Sequence, residues 1–150
     1  MSSCQRGGRA GAPRPGQVIS GPRAALEVVM LAVSQPRRPE TVVLCLDHAH
    51  RGSTIIVVDH PHAEPVEEIG DFMCQLAVSA SRFGALVLAT VRPGPGVAVV
   101  PADELAWFEL RANAEDSGLE LLDWFVVSDD HVVSMATFTD ARPLWQSDDF

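Results

Sequence analysis

The stretch TIIVVDHPHAEPVEEIGDFMCQLAVSASRFGALVLATV (54–91) decides how the rest of the chain is read. Residues 54–59 are apolar, short and β-branched, which suits a buried strand. The segment HPHAEP (60–65) breaks it. Pro65, followed by Glu67 and Glu68, opens a helix to about Arg82. Proline fits the first helical turn, and acids fit the positive end of the helix dipole. Residues 83–91 then read as a further strand, entered through Gly84. Two strands joined through a helix in this way are expected to run parallel with a right-handed crossover. Their carboxyl ends then share one sheet edge, where open α/β sheets place their sites.

Working outward, ETVVLCLD (40–47) within 39–47 is another buried strand, and HAHRGS (48–53) joins it to 54–59 as an antiparallel hairpin. RAALEVVMLAVSQ (23–35) has apolar residues at helical intervals, with Pro22 at its start and Pro36 at its end. Downstream, RPGPG (92–96) must turn. PADELAWFELRANAEDSG (101–118) reads as a helix with Asp103 near its start and Gly118 as terminator. Residues 119–128 and 131–138 read as two final strands around Ser-Asp-Asp. The expected order is α-β-β-α-β-α-β-β, an α/β sandwich with a mixed central sheet. No internal repeat is visible.

At 150 residues with 47% hydrophobic content, the chain fits one globular domain. No apolar run reaches the roughly 20 residues of a membrane span. The opening MSSCQRGGRAGAPRPGQ lacks the apolar segment of a secretory signal. Cys4, Cys45 and Cys74 fit no metal spacing, and an odd, scattered set points to reduced thiols in a cytoplasm. Residues 1–21, rich in Gly, Pro, Ser and Arg, are expected to form a flexible tail ahead of a folded domain at 22–145 and an acidic end at 146–150. Residues 1–38 hold six arginines and one acid, against five arginines and nineteen acids in 39–150, with no lysine anywhere. An acidic domain of this kind repels phosphate backbones, which argues against nucleic acid as its partner.

The segment ATVRPGPGVAVVPAD (89–103), followed by LLDWFVVSDDHVVSM (121–135), resembles the RadC-like members of the JAB/MPN family. That family carries His-x-His-Pro-Ser-Gly, then Pro-Ser-x-x-Asp ending ten residues after the first proline. Here Pro93 and Asp103 stand at the motif proline and aspartate without a gap. Thr90 and Arg92 occupy the two histidine positions, and Val100 the serine position. Asp123 and Ser134 fall in register with a later Asp and Ser of the family, with Trp124 at a histidine. Glu40, opening its strand fifty residues before Thr90, matches the family glutamate. The likeness spans about 22–145.

The resemblance implies a JAB/MPN-like (cytidine-deaminase-like) three-layer sandwich. In active members two histidines and the aspartate hold zinc, the glutamate is the general base, and the serine helps stabilise the oxyanion. Of those positions only Glu40 and Asp103 match here. A threonine hydroxyl is a poor zinc ligand. An arginine stays protonated and repels a dication, so an ion pair of Arg92 with Asp103 or Glu40 is expected in the metal's place. The implied protein is a pseudoenzyme without cofactor that acts through a protein partner or as a homo-oligomer.

Two His-x-His units, His48/His50 and His60/His62, flank one strand and so lie at opposite ends of it. The first pair reads as solvated residues of a hairpin tip. The second shares the sheet edge of Asp103, and a rearranged zinc site from His60, His62 and Asp103, with Glu40 as base, is the alternative hydrolase reading. RPGPG lacks the lysine of a phosphate loop. Ser79 and Ser134 lack a nucleophile context, Trp107, Trp124 and Trp145 read as packing residues, and His131 as a solvated turn residue.

Overall fold

The computed structural model describes residues 18–60 and 83–139. The helix expected over 65–82, together with Cys74, Ser79 and His62, lies outside them, as do Cys4 and Trp145. Residues 18–21, read from the sequence as the end of a polar tail, belong to the fold. Val18 bridges Arg51, and the Ile19 amide donates to the His50 carbonyl at 2.9 Å. Ile19 is apolar and fully buried, which holds this segment down.

Helix α1 (Pro22–Ala32) starts on Pro22 and buries Ala25, Val28 and Val29 at helical spacing. It ends before residues 33–35, because Ser34 leaves the helical path to serve Glu40. Strands β1 (Glu40–Leu46) and β2 (Gly52–Asp59) form the expected antiparallel hairpin. Its turn, read from the sequence as 48–53, spans 47–51. Two of the Asp47 oxygens hold it: the side-chain Oδ1 accepts from the Ala49 and Arg51 amides, and the carbonyl accepts from the amide of His50, which takes φ 60°.

Strand β3 (Ala85–Val91) pairs antiparallel with β1, helix α2 (Ala102–Asp116) follows, and β4 (Glu120–Val127) pairs parallel with β3. Strand β5 (Val132–Ser134) closes a five-stranded mixed sheet of order β2-β1-β3-β4-β5. Strands β2 and β3 run parallel as expected, with β1 between them, so their carboxyl ends share one edge. Residues 131–138 do not form one strand. Ser134 ends β5, and its hydroxyl accepts from the Thr137 amide to cap the short helix α3 (Met135–Phe138).

Every residue of β1 and β3 is buried because both sheet faces are covered. Val42, Leu44, Val87 and Phe125 pack with α1 on one face. Val43, Cys45, Leu88 and Trp124 pack with Trp107 and Leu110 of α2 on the other. A bulge in β4 opposite Leu86 and Val87 shifts its alternation, so that Leu121 and Trp124 share the α2 face. Burial pushes the Cys45 thiol up to about 12, which suits an inert core residue. The described residues form an α/β sandwich, and none of their helices is long and apolar enough to cross a membrane.

Candidate functional site

The carboxyl ends of β2 and β3 and the start of β1 meet at one sheet edge, with the N-terminus of α2 beside them. In an antiparallel pair, directly opposite residues point to the same face. Thr41 stands opposite Thr90, and Glu40 opposite Val91. Thr41, Thr90 and Arg92 therefore face α2, whereas Glu40 and Val91 face α1.

On the α2 face a row of buried polar side chains is linked end to end. Trp124 Nε1 donates to Thr90 Oγ1 at 2.9 Å, Thr90 Oγ1 lies 3.2 Å from Thr41 Oγ1, and Thr41 Oγ1 lies 2.7 Å from His60 Nε2. One assignment gives every link a proton: Thr90 donates to Thr41, and Thr41 donates to the His60 ring. The row lies deep in the structure, with Thr41, Thr90 and Trp124 fully buried. Thr41 beside a histidine has the outline of a nucleophile and its base, but a hydroxyl with no exposure cannot reach a substrate.

Next along the edge, the Arg92 guanidinium grips Asp103 with both arms, at 2.6 and 3.0 Å. The same guanidinium donates to the Ala98 carbonyl and lies 5.9 Å from the Trp124 ring centre. The Val100 amide donates to Asp103 Oδ2 at 2.8 Å, so Asp103 closes the turn that begins α2. Of the two partners that the resemblance implied for Arg92, Asp103 and Glu40, the ion pair forms with Asp103. Val100 contributes only its backbone, since its side chain is exposed.

Glu40 is not part of this cluster. Its carboxylate accepts from the Ser34 amide at 2.8 Å and the Ser34 hydroxyl at 2.9 Å, with Arg38 at 3.5 Å. The even-numbered face of β1 belongs to α1, which turns this carboxylate away from Thr90, Arg92 and Asp103. A general base acting with Asp103 needs the opposite strand face.

The donor set does not fit zinc as the family holds it. One carboxylate is closed by a guanidinium, one hydroxyl is tied to an indole, and the glutamate serves the other layer. Of the rearranged set, His60 is bonded to Thr41, Asp103 is held by Arg92, and His62 lies outside the described residues. No group of three or more His, Cys, Asp or Glu side chains among the described residues is arranged to hold a metal.

The loop between β3 and α2 is anchored on its far side. Gly96 N donates to Asp130, the Ser128 hydroxyl to the Gly96 carbonyl, and Asp129 N to the Gly94 carbonyl. Gly94 and Gly96 take φ 130° and 81°, which glycine adopts without strain. Arg37 donates to the Ser128 and Asp129 carbonyls from the α1 side. The His131 ring and the Gly96 amide beside Asp130 hold its carboxyl below the usual range.

Asp123 and Ser134, singled out in the sequence, are joined at 2.6 Å. Asp123 also accepts from the Trp124 and Ala136 amides, so it ties the β4 bulge to the start of α3. Burial pushes its carboxyl above the ordinary value, against the pull of those three hydrogen bonds. Trp107 is packing, as expected, with Arg111 stacked on its ring at 5.2 Å. The histidines of the hairpin tip lie at the opposite sheet edge. His48 is exposed, but His50 is partly buried and meets Glu120 at 3.3 Å.

Sequence reasoning missed Thr41 and the polar role of Trp124. The available signal was Thr41 as the one hydroxyl within TVVLCL (41–46), level with Thr90 once the strands are paired. The chain matches no protein-family model, and no curated protein matches it in sequence.

Proposed function

We propose that this chain is a catalytically inactive, RadC-like JAB/MPN domain that acts through protein contacts. The observation that carries this reading is the Arg92–Asp103 pair. Arg92 stands where the family has a histidine, and Asp103 where it has the metal-binding aspartate. Here the guanidinium takes both carboxylate oxygens. A positive side chain in that place supplies charge balance for the aspartate without a dication. Thr90, at the other histidine position, is bound by Trp124, which itself stands at a family histidine. The replacements thus interlock with one another, as expected of a site converted to a structural joint. A mixed sheet with helices on both faces is compatible with this family, and the acidic surface points to protein rather than nucleic acid.

Zinc titration of the full chain by calorimetry, with elemental analysis of the purified protein, tests the reading. The expected result is no stoichiometric zinc at micromolar concentrations, and no change when Arg92 is intact and His60 is replaced by alanine. One zinc per chain that disappears with His60→Ala overturns it in favour of a rearranged metal site.

A further inference from the structure

Helix α2 is apolar on two opposite sides. Its inner side, with Trp107, Leu110 and Ala114, is buried in the core. On its outer side Leu105 is 65% and Phe108 46% exposed, and Ala112 continues the line at the next turn. Spacings of three and four residues place these on one strip of the helix surface. Four exposed acids border it. At 3.6 residues per turn, Glu104 and Glu115 lie roughly 50–70° to one side of the strip, and Glu109 and Asp116 a similar angle to the other. Leucine and phenylalanine are not needed on a solvated face, and an ordinary surface helix carries polar residues there.

We infer that the outer strip of α2 is a docking surface for an amphipathic helix of another protein, one whose apolar stripe is flanked by lysine or arginine. This rests on the reading of the chain as an interaction module. Charge complementarity selects the occupant. A second copy pairing through the same strip brings acidic borders together, which like-charge repulsion opposes. Residues 1–17 carry Arg6, Arg9 and Arg14 but no Leu, Ile, Val, Phe or Trp to cover the strip. Residues 140–150 have three aspartates against one arginine, the wrong sign for these borders. A basic amphipathic helix supplies both what the strip lacks and what its borders attract.

The test uses the full chain and two labelled synthetic helices of about 20 residues sharing one leucine stripe, flanked in one by lysine and in the other by glutamate. Fluorescence anisotropy is expected to show micromolar binding of the lysine form, at least tenfold weaker binding of the glutamate form, and weakening with added salt. Leu105→Gln with Phe108→Gln should weaken the lysine helix at least tenfold with unchanged circular dichroism and melting temperature. The variant E104Q/E109Q/E115Q/D116N should bring the two helices close to equal affinity while still binding both. Equal affinity of the two helices for the wild-type chain overturns the proposal, as does absence of binding at 200 µM peptide, roughly the weak end of useful association. Sedimentation showing a dimer that L105Q/F108Q converts to monomer overturns it in favour of a second copy. None of these outcomes alters zinc uptake, so the docking surface and the loss of the metal site fail independently.

Discussion

The Arg92 guanidinium closes on both oxygens of Asp103, 2.6 and 3.0 Å away, and so joins the end of β3 to the start of α2. Arg92 is 19% exposed and the Asp103 side chain 6%, so the pair is shielded from solvent without being sealed from it. Arg92→Leu leaves Asp103 with the Val100 amide and no counter-charge, which costs about 3 kcal/mol for a largely buried pair. Replacing both partners removes the stranded charge. The double variant R92L/D103L is therefore expected to be more stable than R92L alone in urea unfolding. A double variant as unstable as the sum of the singles would show that the two residues act separately.

Thr90 sits between Trp124 and Thr41, and its hydroxyl is the hinge of the buried row. Thr90→Val keeps the shape but leaves the Trp124 indole N–H without its acceptor, at a cost of about 2 kcal/mol. Thr90→Ser keeps the hydroxyl and loses one methyl, costing about 0.8 kcal/mol. Faster hydrogen exchange of the Trp124 indole in T90V, and not in T90S, accompanies the loss. If the valine variant is as stable as the serine variant, the row contributes little.

Most of the fold was legible because it rests on short apolar runs. The segments 40–47, 54–59 and 85–91 each carry enough β-branched and aliphatic residues to specify a strand without knowing its neighbours. What failed was decided at single residues. Ser134 looks like one more position of an alternating strand, yet its hydroxyl caps a helix, and capping competes with strand extension over one turn only. The site was half legible. The resemblance pointed Arg92 to Asp103 or Glu40, and the structure pairs it with Asp103. The sequence could not place Glu40, because strand faces depend on register: Glu40 and Thr41 are neighbours in sequence, and pairing with Val91 and Thr90 sends them to opposite layers.

Gly84 enters β3 directly beneath the hairpin tip, where a Cβ would lie 2.7 Å from His48 Nδ1 and 2.8 Å from the His48 Cα. Its amide donates to the Leu46 carbonyl, and its carbonyl accepts from Glu120, so the backbone cannot easily retreat. Gly84→Ala is expected to destabilise by about 1–3 kcal/mol through overpacking. His48→Ala in the same chain removes the ring but not the Cα, so it should restore less than half of the loss. Full restoration in thermal unfolding would mean that only the flexible ring was in the way.

Asp123 should give the stability curve an unusual local slope. Burial raises its carboxyl in the folded chain above the ordinary value of 3.8. A raised folded value means that the native state binds this proton more tightly than the unfolded chain does. Stability from this group is then fully present below about pH 3.8 and falls as pH rises through the folded value. Other carboxylates that are held ionised in the native state act in the opposite sense, so the total curve hides the effect. The difference between wild type and Asp123→Asn isolates it. Asparagine can still accept from the Trp124 and Ala136 amides through its carbonyl, and Ser134 can accept from its amide. In urea unfolding from pH 3 upward, the stability of wild type relative to D123N should decline with rising pH and then level off. A relative stability that climbs instead would mean that the three hydrogen bonds to Asp123 outweigh its burial.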